Sequence, residues 1–140
     1  MATIDFYLTQ ENTIDACYDL VCKLVDKAYQ QKKSVYVAAN SEQEAKILDD
    51  LLWIFRDDAF IPHSLYQQSD ALIQIGYDTT PKAFDDILIN LTPTPPAFFT
   101  QFQRVLEIVP QSAKTSGRQK FRFYRDQACE ITTHDLAKTS

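Results

Sequence analysis

The chain has 140 residues, 45% hydrophobic and 24% charged, which is enough apolar material for one core and excludes a disordered chain. Its net charge is −5, a poor balance for gripping nucleic acid over the whole surface. It has only two glycines, Gly76 and Gly117, so neither a Walker loop nor a dinucleotide loop can be built, since each needs closely spaced glycines to bring backbone N–H groups onto phosphate.

Residues Thr3–Leu8 alternate through Ile4, Phe6 and Leu8 and predict a strand. Polar residues 9–13 follow as a cap. Ile14, Cys17, Val21, Leu24 and Ala28 then recur at helical spacing, predicting a helix that ends near Lys33. Residues 34–39 hold Val35, Tyr36 and Val37 and read as a buried strand. Ser41 and Glu44 form an S-x-x-E capping box, which opens a second helix to about Phe55. Strand, helix, strand, helix with short joints predicts an α/β fold with a mostly parallel sheet flanked by helices.

The middle is less regular. Residues 71–75 and 86–91 predict two strands, and T-P-T-P-P at 92–96 must be a loop. A short helix at 97–102, a strand at 104–109 stopped by Pro110, and a final helix at 111–126 follow. Residues 129–132 offer one more strand. A single domain over 1–136 is expected, with a frayed tail at 137–140.

Nothing in the sequence points to catalysis. There is no nucleophile elbow and no HExxH-like pair, and the acidic doublets Asp49-Asp50, Asp57-Asp58 and Asp85-Asp86 are adjacent residues that do not face each other on a helix. Cys17, Cys22 and Cys129 match no zinc or redox spacing and are expected as reduced, partly buried thiols. His63 and His134 lack a partner at ligand spacing, so no metal site is expected. No run of 18 apolar residues and no leader pattern occurs, and a cytoplasmic protein is expected.

Charge is distributed unevenly. From Arg104 to Arg125 lie six basic residues and one acid, Glu107, a segment of +5 against −10 for the remainder. Lys114, Arg118, Arg122 and Arg125 are spaced 4, 4 and 3 and share one helix face. That row reads either as a solvated face or as a docking surface for anions. Val109 and Phe121 can supply apolar surface beside it, which favours an acidic peptide over a long phosphate chain. Direct nucleic-acid binding by the same Lys114-to-Arg125 face is the alternative. Gly117, in mid-helix, is either a weak point or a place where a partner backbone approaches. In the second helix Ala45, Leu48, Leu51, Leu52 and Phe55 define the buried direction, and Trp53 points roughly 135° away from it. An outward tryptophan near Phe60, Ile61 and Pro62 predicts an apolar contact patch; the alternative is that the helix ends early and Trp53 folds back under the loop at 54–62.

The order and spacing of several segments resemble the chi subunit family of bacterial DNA polymerase III, whose members are clamp-loader accessory proteins. The resemblance runs from Asp5-Phe6-Tyr7-Leu8 almost to Glu130, with a variable stretch at about 69–84. It rests on Lys32-Lys33-Ser34-Val35-Tyr36-Val37 leading into Glu42-x-x-Ala45, and on Leu51-Leu52-Trp53 before Phe60-Ile61-Pro62-His63-Ser64-Leu65. Asp86-Ile87-Leu88-Ile89-Asn90-Leu91, Glu107-Ile108-Val109-Pro110, and then Lys114, Arg118 and Tyr124-Arg125 complete it.

The resemblance implies a Rossmann-like fold without a nucleotide cofactor and a non-catalytic adaptor with two partners. One is the psi subunit, which ties the adaptor to the clamp loader. The other is the acidic C-terminal tail of single-stranded DNA-binding protein, which ends in an apolar residue and a free carboxylate. Carried over by position, Val109, Lys114, Arg118, Phe121 and Arg122 fall on the tail-binding site. Trp53, Phe60 and Pro62 fall on the psi-binding surface. No direct contact with DNA or membrane is implied.

Overall fold

The computed structural model describes residues 2–9, 14–54, 63–66, 71–81, 85–110 and 113–135. The elements, in chain order, are β1 (Thr3–Leu8), α1 (Ile14–Gln30), β2 (Val35–Ala39), α2 (Glu42–Ile54), β3 (His63–Leu65), β4 (Ile73–Tyr77), β5 (Ile87–Asn90), a 3-10 turn (Phe99–Gln101), β6 (Arg104–Val109), α3 (Lys114–Asp126) and β7 (Glu130–Asp135). The strands form one seven-stranded sheet in the order β3-β4-β2-β5-β6-β1-β7. Every pairing is parallel, so the expected mostly parallel sheet is parallel throughout.

A parallel sheet needs crossovers that lie on its faces, and both faces must then be apolar. β2 meets that demand with five consecutive buried residues. Val35, Val37 and Ala39 join α1 and α2 in one core, and Tyr36 and Ala38 join the 3-10 turn and α3 in the other. Tyr36 lies across Gly76 of β4, where any Cβ would collide with its ring. The crossover from β1 leaves on the α1 face and the one from β6 leaves on the α3 face. β1 and β6 are neighbours, so the sheet has its switch point between them.

β7 continues the sheet beyond β1. Asp5 of β1 takes Arg104 Nε at 3.3 Å and His134 Nε2 at 3.2 Å, and the Tyr7 and His134 rings stack at 4.5 Å. Strands on both sides of β1 are thereby tied to one carboxylate.

Helix ends account for most boundary differences from the sequence reading. α1 stops at Gln30, short of Lys33. Lys32 adopts φ 59°, Lys33 N–H donates to Ala28 O at 3.1 Å, and Lys32 N–H donates to Tyr29 O at 2.9 Å. This is a Schellman ending with lysine in the left-handed position that glycine normally fills. α3 ends the same way through Ala128 (φ 61°), with Cys129 N–H on Tyr124 O at 3.1 Å and Ala128 N–H on Arg125 O at 3.0 Å. The capping box forms with one change: Glu44 N–H bonds Ser41 Oγ at 3.1 Å, but the Glu44 carboxylate returns to the N–H of Asn40 rather than of Ser41, at 2.8 Å. β3 was not anticipated, the strand expected at 71–75 lies two residues later, and β7 runs past 132. Phe55 and residues 136–140 lie outside the described residues. Among those described, no helix is long and apolar enough to cross a membrane.

Two outcomes follow from this packing. Ala128→Gly removes a left-handed alanine and is expected to raise stability by about 0.5–1 kcal/mol in urea denaturation. Cys17 and Cys22 are buried, and burial pushes the Cys22 thiol up to about 11. At pH 8 that leaves about one molecule in a thousand as thiolate, against about one in four for an ordinary cysteine. Titration of the native protein with a thiol reagent is expected to show one accessible thiol, the half-buried Cys129, with two more appearing in denaturant.

Candidate functional site

α3 packs on the sheet through only three buried residues, Gly117, Lys120 and Tyr124, spaced as one helical face. Gly117 rests on Val109 of β6, and a Cβ there would stand 2.8 Å from Val109 Cγ1. The close approach that this glycine permits is therefore to the chain's own strand, not to a partner backbone.

Lys114, Arg118, Arg122 and Arg125 are all exposed on the outer side of α3. At about 100° per residue they fall roughly 85–165° from the buried direction. Arg125 Nε reaches Asp126 Oδ1 at 3.6 Å, but both side chains are exposed and such pairs contribute little. Lys114, Arg118 and Arg122 make no ion pair with a described residue. The row is thus on one face and largely unneutralised.

The apolar partners of the row are placed differently from each other. Phe121 lies between the buried direction and the cations, is 38% exposed, and seats its ring 5.7 Å from Phe6 of β1. Val109 is buried beneath Gly117, so it supports the helix rather than presenting surface beside the cations. Phe6, which the sequence reading did not single out, backs the exposed ring instead.

Lys120 belongs to the basic segment but not to the row. It is buried with its Nζ 2.9 Å from Oε1 of Glu107, which is fully buried on β6. Tyr124 Oη donates to Glu107 Oε2 at 2.6 Å, and Asn90 Nδ2 of β5 lies 3.1 and 2.9 Å from the two carboxylate oxygens. Asn90 is fixed in turn: its Oδ1 accepts Thr92 N–H at 3.1 Å and Thr92 Oγ1 at 2.7 Å. Burial pushes the Glu107 carboxyl above the ordinary carboxylate range, and Lys120, Tyr124 and Asn90 all act in the opposite sense. Burial and the adjacent Glu107 charge push the Tyr124 phenol up. The sequence carried a signal for this cluster: Glu107 is the one acid in its segment and stands among Leu106, Ile108 and Val109.

A cleft of about 190 Å³ opens beside α3 at the carboxyl ends of the strands, between Cys17, Asn40, Glu44, Thr92, Val109 and Lys120. In dinucleotide-binding sheets this region holds phosphate. Here the Glu44 carboxylate caps Asn40 N–H at the start of α2 and accepts Tyr18 Oη at 2.8 Å, so the chain's own anion occupies the donors.

The second predicted surface is at the far side of the sheet. Ala45, Leu48 and Leu52 are buried, and Trp53 is 51% exposed, as the helical spacing predicts. Its ring stands 4.8 Å from that of His63 on β3, and His63 Nε2 lies 2.9 Å from the Asp49 carbonyl oxygen. Ile54 is exposed beside it. Phe60 and Pro62 lie outside the described residues. α2 and α3 sit on opposite faces, and three strands separate β3 from β6.

Comparison with known proteins fits this arrangement. Residues 1–132 match the family model described as DNA polymerase III chi subunit, HolC. The DNA polymerase III subunit chi of Pseudomonas aeruginosa is 37% identical over 141 residues, covering 99% of both chains. The Escherichia coli subunit chi is 29% identical, with 95% of this chain and 97% of that one covered, and the Haemophilus influenzae subunit chi is 26% identical with 96% and 97% covered. A family match over nearly the whole length, on an α/β sheet of the expected class, places this chain in the DNA polymerase III chi subunit family and gives it a role in DNA replication.

Proposed function

We propose that the protein is a non-catalytic replication adaptor. Its α3 face binds the acidic C-terminal tail of single-stranded DNA-binding protein, and its Trp53 surface, with Phe60 and Pro62, binds the psi subunit of the clamp loader. The observation that carries the first half is the exposed row Lys114, Arg118 and Arg122, in ion pairs with none of the described residues, beside the partly exposed Phe121. Like charges held side by side repel one another, and an anionic ligand relieves that repulsion. The planar fork of Arg118 suits bidentate capture of a terminal carboxylate. The apolar end residue then lies on Phe121, backed by Phe6, while Val109 keeps the helix seated under Gly117. Each exposed pair is weak, so affinity is modest and falls with salt, as suits a tether that must release.

Trp53 and Ile54 supply the apolar area for the second contact, where burial of an aromatic anchor gives a longer-lived complex. The two surfaces lie on opposite faces of the sheet, which allows both partners to bind at once.

Arg118→Ala is expected to weaken an Asp-rich peptide ending in a free phenylalanine carboxylate by about 1.5–3 kcal/mol, read by fluorescence anisotropy. Unchanged affinity overturns the assignment, and retention of single-stranded DNA by the isolated protein at physiological salt favours direct nucleic-acid binding instead. Trp53→Ala is expected to abolish co-purification with psi and to leave peptide affinity unchanged. Competition between the peptide and psi in a titration overturns the two-surface arrangement.

A further inference from the structure

α3 exposes most of its length. Of its 13 residues only Gly117, Lys120 and Tyr124 are buried, and glycine has no side chain to register the helix against the sheet. Its two phenylalanines do not settle the rotation either. Phe121 and Phe123 project about 160° apart across the buried side, roughly 65° and 95° to either side of the buried direction. They are almost equally exposed, at 38% and 37%, and each packs against a ring outside α3: Phe6 of β1 at 5.7 Å for Phe121 and Phe99 of the 3-10 turn at 5.6 Å for Phe123. Turning the helix either way buries one ring and uncovers the other. The two flanking rings are nearly balanced, and among the apolar side chains of α3 only the buried Tyr124 ring, 6.0 Å from Phe6 and 5.2 Å from Phe99, favours the observed rotation.

Directional bonds break the balance. Lys120 and Tyr124, four residues apart, reach the same Glu107 carboxylate, one on each oxygen. Glu107 is held from the other side by Asn90 on β5, and Asn90 by Thr92. Two bonds from one helix face to a fixed point set both rotation about the axis and position along it. A rotation of 20° moves a side-chain tip at the helix rim by about 2 Å. Productive binding geometry tolerates about 0.5 Å.

We infer that Glu107 is the positioning residue of the docking face, acting through Lys120 and Tyr124 to fix the rotation of α3 that turns Lys114, Arg118, Phe121 and Arg122 outward. This rests on the reading of that face as a tail-binding site. Glu107 and Lys120 touch no tail: both are buried, and Lys120 contributes no charge to the row. Desolvating two charges makes such a pair a weak source of stability, and the best-attested return for a buried polar contact is a unique register.

The test compares the full chain with Glu107→Gln/Lys120→Met, a neutral pair of similar volume, and with Tyr124→Phe, which removes one bond and keeps the ring. Three quantities are read: anisotropy of the Asp-rich peptide ending in phenylalanine, melting temperature, and amide hydrogen exchange along 114–126. The double variant is expected to bind the peptide at least about fivefold more weakly and to exchange α3 amides at least about tenfold faster, with sheet amides unchanged. Tyr124→Phe is expected to move both readouts in the same direction by about threefold. Wild-type affinity and wild-type α3 protection in both variants overturn the inference. If the double variant does not fold, Tyr124→Phe decides by the same criteria. If the unmodified chain does not bind the peptide, the tail reading falls by itself. The exchange data then decide the positioning role: selective loss of α3 protection supports it, and unchanged protection overturns it.

Discussion

A carboxylate taken out of water must find donors, and Glu107 finds them on two elements at once. Lys120 and Tyr124 approach from the helix and Asn90 from the neighbouring strand. Through that one group the outer layer of the sheet is indexed to its middle. The rest of the α3 contact is a glycine on a valine, the Tyr124 ring edge-on to Phe6 and Phe99, and two aromatic flanks. A polar core cluster of this kind specifies one arrangement among several of similar apolar burial, and it does so only when every member is satisfied. Each oxygen of Glu107 has a partner other than Asn90, and Asn90 uses both ends of its amide.

The parallel sheet imposes the second constraint. Every connection must cross a face, so helices and turns cover both sides and the strand ends gather their loops at one rim. Sheets of this kind commonly place a glycine loop and a phosphate there. This chain places Ser41, Glu44 and Tyr18 at the start of α2, and their side chains bond one another and the free backbone donors. The architecture of a nucleotide fold is kept while side chains take up backbone donors at the rim.

Much of this was legible in the amino-acid order because periodicity is a local property. β1 and β6 appear with the bounds that alternation and Pro110 give them, and the outward direction of Trp53 follows from counting around α2. The basic row is likewise a matter of spacing. What escaped depends on distant partners or on conformations without a compositional mark. β3 has three residues and exists because β4 offers an edge. Lys32 and Ala128 sit in the left-handed region without being glycine, so neither announces a helix end. Val109 reads in the sequence as apolar surface beside the cations, whereas Gly117, eight residues on, lies over it. The pairing of Lys120 with Glu107 removes one cation and the only acid from a segment whose charge, summed along the chain, looked uniform. Buried charge is cancelled in space, and a sum over sequence does not register it.

The position of β1 has a consequence for synthesis. Thr3 pairs with Arg104 on one side and with Glu130 on the other, roughly a hundred residues or more downstream. While the ribosome is making the first two-thirds of the chain, the segment Ile4-Asp5-Phe6-Tyr7-Leu8 has no neighbour on either edge. Such high contact order delays folding until β6 and β7 have been made, and it leaves a largely apolar stretch unpaired in the meantime. A nascent chain interrupted before β6 keeps that stretch open on both sides.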